Sequence, residues 1–166
     1  SAKNVVDQMM MSGTNVASLD YSLPGTVSFD SGVHIHKILH PAGGGLTLPG
    51  SDSEMFSQTA TPVGWFIGRF NNIAWTPTSA DDVVLTALNV TEAVCANINK
   101  KITNSTAIPT IVGGPGDIQS FFVDFDTSGV VNTDLTNVEC GDCEGYPSLC
   151  VQQGGEFAYY NIMSAQ

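Results

Sequence analysis

The stretch that decides the fold runs from residue 83 to residue 102 and has the sequence VVLTALNVTEAVCANINKKI. Its first part, Val83 to Leu88, is a continuous apolar run with the length of one buried strand. Asn89 follows, with Glu92 three residues later, which is the spacing of a capping box. We therefore predict a strand that leads directly into a helix from Val90 to about Ile102.

The predicted helix is amphipathic. Its last turn contains Lys100 and Lys101, where positive charges suit the helix dipole. Apolar residues recur at helical spacing and keep one face in a core. These residues are Val90, Val94, Ile98 and Ile102.

Outside this stretch the sequence alternates short apolar runs with clusters of Pro, Gly, Asn and Ser, a pattern typical of antiparallel hairpins. Apolar residues at helical spacing predict one further helix, from Lys3 to Leu19. The predicted strands are Val27–Phe29, Val33–Leu39, Leu46–Leu48, Val63–Phe70, Ile73–Trp75, Ile118–Phe125 and Glu156–Met163. We therefore predict a single α+β domain over residues 1–166, with a mainly antiparallel sheet and two helices.

The charge balance limits the function. The chain has 166 residues, with 5 Lys and Arg against 16 Asp and Glu, and a net charge of -11. Binding to nucleic acid needs clustered basic residues, so no nucleic-acid partner is expected. Only 13% of the residues are charged, a composition commoner in extracellular, cell-surface or periplasmic proteins. The sequence contains no run of about 18 apolar residues, the length needed to span a bilayer.

The chain has 4 cysteines, and two disulfides in an oxidising compartment are the simplest interpretation. Cys140 and Cys143 have the Cys-x-x-Cys spacing of redox proteins and zinc ribbons, and Cys150 could be a third zinc ligand. Structural disulfides are favoured because Cys95 lies on the predicted helix and Cys150 directly before the last strand. A bond between these two would connect distant parts of the chain.

All the histidines lie between Val33 and His40. On the strand predicted there, His34 and His36 would project from the same face and could share a zinc ion. Alternating polar residues on a strand also mark a face in solvent, and that alternative stays open.

A calcium site is the second metal hypothesis. Asp124, Asp126 and Ser128 place oxygen atoms at alternate positions before a glycine, as in the first half of a calcium loop. Asn132 and Asp134 could add oxygens. Leu135 stands where an EF-hand needs a bidentate Glu, which excludes that form, and a plain hairpin turn explains the segment equally well. Apart from calcium, no cofactor is expected.

No catalytic motif emerges. The glycine-rich segments 41–45 and 113–116 lack the Lys-Ser/Thr ending of a phosphate-binding loop. The chain has no Gly-x-Ser-x-Gly, and nothing connects the histidines to a nucleophile. The protein is therefore not expected to be an enzyme.

Three stretches resemble type IV pilins and type II secretion pseudopilins. They are His40-Pro-Ala-Gly-Gly-Gly45, Thr91-Glu-Ala-Val-Cys-Ala-Asn-Ile-Asn99, and the ending from Cys150 to Tyr160. The resemblance implies the soluble globular head of a pilin-like protein whose N-terminal membrane helix is missing. The helix from Lys3 to Leu19 would then lie against the sheet.

The resemblance also implies a pairing of the cysteines and a function. Cys95 would pair with Cys150, and Cys140 with Cys143. The protein would be a structural subunit of a pilus or pseudopilus filament, with copies of itself or related pilin subunits as partners. Membrane contact would come only through the missing helix. A secreted or surface binding module, such as an adhesin or virion surface protein that binds a metal, is the alternative, and an exported hydrolase is a third class.

Overall fold

The computed structural model describes residues 2–11, 19–24, 26–48, 50, 54–57, 59, 62–69, 71–114, 117–122 and 133–164. These residues belong to two compact units, Ser1–Leu48 and Pro49–Gln166. The elements of the first unit are helices α1 (Ala2–Met11) and α2 (Val27–Asp30). Those of the second are β1 (Gly64–Arg69), β2 (Val83–Leu88), α3 (Glu92–Thr103), α4 (Gln119–Phe122), a 3-10 turn (Gly141–Cys143), β3 (Ser148–Gln153) and β4 (Glu156–Ser164).

The second unit is built on a four-stranded antiparallel sheet in the order β1-β2-β4-β3. In this sheet β2 pairs with β1 on one side and with β4 on the other, so that Leu85 lies opposite both Ile67 and Asn161. Strands β3 and β4 form a hairpin across Gly154 and Gly155, whose φ angles are 60° and 82°. Both turn residues lie in the left-handed region, which glycine enters without steric cost. The α+β class with an antiparallel sheet is thereby confirmed.

Both faces of the sheet are buried. Alternate side chains of β2 point to opposite faces: Val84 and Leu88 pack in the larger core cluster, and Ala87 packs in a second cluster beside α3. The larger cluster also contains Phe121 and Phe122 of α4. Burial on both faces explains why five of the six residues of β2 are apolar.

Helix α3 begins two residues later than the capping box predicts. Its N-cap is Thr91, whose hydroxyl accepts from the Val94 N–H at 3.3 Å. Asn89 instead adopts a φ of 58°, and its side chain donates to the Pro62 carbonyl at 2.7 Å. The helix ends at Thr103, with Asn104 as its C-cap, and Lys100 and Lys101 lie in its last turn as predicted.

The first unit contains none of the three predicted strands. Residues 27–30 form α2, because the Thr26 hydroxyl caps it by accepting from the Phe29 N–H. The range Val33–Leu39 consists mainly of turns, with one isolated bridge from Lys37 to Asp20. Residues 46–48 form no strand either.

Helix α1 covers the first part of the helix predicted from Lys3 to Leu19, and Leu19 itself is not helical. Residues 12–18 lie outside the described part of the chain, and Leu19 directly precedes the extended bridge of Asp20. The packing of this helix on the sheet stays a prediction. Among the helices that the structure describes, none has the length and apolarity needed to cross a membrane.

The second unit departs from the predictions at three points. Residues Ile73–Trp75 contribute only an isolated bridge from Ile73 to Leu135. The predicted strand Ile118–Phe125 includes helix α4, and its last residues lie outside the described ranges. Strand β3 was not predicted, so Cys150 lies within a strand and not just before one.

The assignment of Thr91, and not Asn89, as the N-cap of α3 can be tested by substitution. We expect Thr91→Ala to lower the free energy of unfolding by about 1 kcal/mol, the usual cost of removing an N-cap hydroxyl. Thr91→Ser keeps the hydroxyl and serves as the matched control. Guanidinium denaturation followed by tryptophan fluorescence measures both, and equal stability of the two variants would show that Thr91 is not the cap.

Candidate functional site: the braced edge of the sheet

A disulfide joins Cys95 on α3 to Cys150 in the middle of β3. The two residues are 55 positions apart in sequence, with Cα atoms separated by 5.3 Å, and both are fully buried. The pairing is the one that the pilin resemblance implies. It fixes the helix against the outermost strand of the sheet. We call this connected region, with Cys95 and Asn99 on α3 and Cys150 and Gln152 on β3, the braced edge.

Asn99 lies one helical turn beyond Cys95 and strengthens the same connection. Its Oδ1 accepts from the Cys150 N–H at 2.8 Å, and its Nδ2 donates to the Cys150 carbonyl at 2.8 Å. The same Nδ2 donates to the Ala107 carbonyl at 2.9 Å. Asn99 is fully buried, so its amide takes the place that a neighbouring strand would have at Cys150.

The next outward-facing backbone groups of β3 are bonded to the segment after α3. Gln152 donates its N–H to the Pro109 carbonyl at 2.9 Å, and its carbonyl accepts from the Ile111 N–H at 2.8 Å. Its side-chain amide donates to the Ile108 carbonyl at 3.3 Å. Since unpaired edge groups invite association with other strands, these bonds close the edge of the sheet at Cys150 and Gln152.

The second disulfide joins Cys140 to Cys143 around a single 3-10 turn. Both residues are buried in the larger core cluster. Next to this turn, the Tyr146 carbonyl accepts from Trp75 Nε1 at 3.0 Å and from the Tyr160 hydroxyl at 2.9 Å. With all four cysteines in disulfides, none is available as a zinc-ribbon ligand.

The geometry assumed for a zinc site at His34 and His36 is wrong. These residues lie in a turn region and share no strand face. His34 instead stacks on His40, with ring centroids 4.0 Å apart and ring planes 3° apart, whereas His36 is exposed. Burial, followed by the charges of His40 and Lys37, lowers the pKa of His34 below 6.5.

The proposed calcium ligands Asp124, Asp126 and Ser128 lie outside the described residues. The possible additional ligand Asp134 is described, and its carboxylate accepts from the Asn72 N–H at 3.0 Å. Within the described ranges, no group of three or more His, Cys, Asp or Glu residues could hold a metal ion.

An acidic pocket of ≈ 360 Å³ lies at the start of α3 and is lined by Glu92 and Glu156. Burial, and secondarily Asp117, raises the pKa of Glu156. Among the lining residues, the Ser57 hydroxyl is within hydrogen-bond distance of the Thr59 hydroxyl at 3.2 Å, and none is a histidine, lysine or arginine. The lining residues therefore offer hydroxyl and carboxylate oxygens and no basic side chain.

Comparison with known proteins gives no match: no protein-family model, no curated protein and no solved structure matches the chain. The fold and the braced edge define an acidic α+β module with two disulfides. Such bonds form and persist where conditions are oxidising, which indicates an oxidising environment for this protein.

Asn99 was not predicted as a functional residue, although its position one turn after Cys95 was a usable signal. We expect Asn99→Ala to lower the free energy of unfolding by about 3 kcal/mol, because the buried N–H and carbonyl of Cys150 lose their partner at about 1–3 kcal/mol each. Asn97→Ala, at an exposed position of the same helix, is the matched control. Denaturation with both disulfides intact measures the difference, and similar losses in both variants would contradict the assigned role.

The two disulfides should differ in their contributions to stability. In the chain-entropy model, Cys95→Ala/Cys150→Ala should cost about 4 kcal/mol, and Cys140→Ala/Cys143→Ala about 1.5 kcal/mol from loop closure. The difference follows from sequence separations of 55 and 3 residues. Melting temperatures and denaturation curves of the two double variants provide the measurement. A larger loss in the second variant would show that local packing outweighs loop closure.

Proposed function

We propose that the protein is a structural subunit of an extracellular or periplasmic filament of the pilin or pseudopilin type, and that it acts by assembly and not by catalysis. The supporting observation is that the two longer stretches that resemble pilins are joined to each other by a disulfide and by side-chain hydrogen bonds. Thr91–Asn99 is the cap and the first part of α3, and Cys150–Tyr160 covers most of the β3–β4 hairpin. The disulfide and the Asn99 amide connect them.

The braced edge suits a subunit that has to keep its shape under load. Pulling α3 away from the sheet would require breaking the Cys95–Cys150 bond and exposing the polar groups of Asn99 and Cys150. The closed edge at Cys150 and Gln152 also prevents strand addition there, which leaves assembly to other surfaces. Contacts between copies of the chain, or with related pilin subunits, would then use surfaces other than this part of β3.

The acidic composition is compatible with a subunit whose outer surface faces water. With a net charge of -11, free copies repel each other, and this repulsion keeps unassembled subunits in solution. In a filament of the proposed type, an apolar helix ahead of the globular head would supply the attraction. The proposed location is the periplasm, the cell surface or the extracellular medium.

The proposal is tested on the protein in its natural host. Filaments sheared from the cells should contain the chain, as detected by mass spectrometry and by immunogold electron microscopy with an antibody against the folded head. Cells that carry Cys95→Ala/Cys150→Ala should show fewer labelled filaments, and cells that carry Asn97→Ala should match the wild type.

Two results would overturn the filament proposal. The first is recovery of the protein only as a free monomer after removal of an ordinary signal peptide, which would favour the secreted binding module. The second is labelling of the cell surface without any filament. The upstream gene sequence adds an independent check, because a filament subunit requires about 20 apolar residues before the head to span and pack.

A further inference from the structure

The stacked pair of His34 and His40 in the first unit plays no part in the proposed filament function. The ring of Phe29 packs on His40, with centroids 4.9 Å apart and planes inclined by 44°. Neutral imidazole rings stack without electrostatic cost, but two imidazolium rings with centroids at 4.0 Å repel each other. The observed arrangement therefore suits the neutral pair.

A hydrogen bond also requires that the His40 ring is neutral. Its Nδ1 accepts from the Ala42 N–H at 3.1 Å. Protonation would place a proton on both ring nitrogens, after which Nδ1 could only donate. The turn that follows is closed by bonds from the Gly43 and Gly45 N–H groups to the His40 carbonyl, at 2.9 and 3.0 Å. Uptake of a proton by His40 therefore removes one bond of a small network.

The other charges near the pair oppose a second proton. Lys37 is 2% exposed and donates from Nζ to the carbonyls of Ser28, Phe29 and Ser31. It lowers the pKa of His34, after burial and His40, and only Asp30 raises it. The Nδ1 atom of His34 is buried with no hydrogen-bond partner among the described residues.

Further charged groups of this unit are bonded elsewhere. On α1, Lys3 pairs with Asp7 at 2.9 Å, and both side chains are about half exposed. The Asp20 carboxylate accepts from the backbone and the hydroxyl of Ser22. Neither Asp7 nor Asp20 is among the groups whose charge shifts the pKa of His34.

The turn held by His40 also forms the contact surface for α1. A Cβ atom added at Gly44 would lie 2.9 Å from Val5 Cγ1 and 2.8 Å from Met9 Sδ. No side chain fits between the turn and the helix at this point. The position of Gly44 therefore determines how closely α1 can approach.

We propose that His34 and His40 form an acid-sensitive latch: the neutral pair holds the turn 40–45 and, through Gly44, the helix α1, and proton uptake releases both. The proposal does not depend on filament formation. Because the folded-state pKa of His34 lies below 6.5, the open form binds protons more strongly. The latch is therefore closed above about pH 6.5 and opens as the pH falls below it.

The second unit should stay closed over the same range. It contains no histidine, since all three lie between residues 34 and 40. Its carboxyl group with a resolved shift, Glu156, has a raised pKa, so proton uptake there favours the folded state. Mild acid should therefore act on the first unit alone.

NMR between pH 8 and pH 5, with both disulfides intact, tests the latch. We expect the Ala42 amide and the α1 amides of Val5 and Met9 to change together with the His34 ring signal, with a midpoint below pH 6.5. Amides of the sheet, such as those of Leu85 and Tyr160, should not move with them. Absence of change at Ala42 and α1, or a His34 midpoint at or above 6.5, would overturn the proposal.

Two variants separate the latch from a general acid effect. His40→Asn places an amide oxygen where Nδ1 accepts from Ala42 but does not titrate, so the closed turn should persist at pH 5. His36→Asn changes an exposed histidine and should open like the wild type. Opening of His40→Asn at the wild-type pH would contradict the proposal. The Ala42 and Gly44 amides can show that the turn of His40→Asn is already open at pH 8. In that case the proposal stands or falls with the wild-type protein, and a His34 midpoint at or above pH 6.5 overturns it.

Discussion

The buried hydrogen bonds between Asn99 and the backbone of Cys150 are the interaction on which the second unit depends. An outermost strand must satisfy its outward N–H and carbonyl groups, and burial removes water as a partner. Helix α3 could not cover Cys150 if it offered only apolar side chains, because each orphaned group costs about 1–3 kcal/mol. The Asn99 amide meets this requirement, and the disulfide one turn earlier holds it in register.

The parts of the fold that the sequence predicted well are those where one physical requirement dominates. Strand β2 is buried on both faces, and five of its six residues are apolar, so Val83–Leu88 was identified to the residue. Helix α3 combines an apolar stripe, basic residues in its last turn and a polar cap. Only its start was misjudged, because Asn89 and Thr91 both have suitable cap side chains, and tertiary contact with Pro62 decided between them.

The parts that the sequence predicted poorly are short segments whose structure comes from distant contacts. Val27–Phe29 has the residues of a strand, yet the preceding Thr26 hydroxyl and the Lys37 ammonium at its carbonyl end support a helical turn. Strand β3 is hidden in the sequence by its central cysteine and two glutamines. The pairing of His34 with His40 required a turn that residue spacing on a strand could not indicate.

Charge is distributed unequally between the two units, and both disulfides lie in the more highly charged one. Residues 1–48 contain two basic and three acidic residues, whereas the remainder contains three basic and thirteen acidic ones. A compact unit with such an excess of negative charge is destabilised by its own repulsion. Both disulfides and the Asn99 amide lie in this unit. The first unit has a small net charge and contains every histidine. The uptake of a few protons therefore changes its net charge in relative terms far more than that of the second unit.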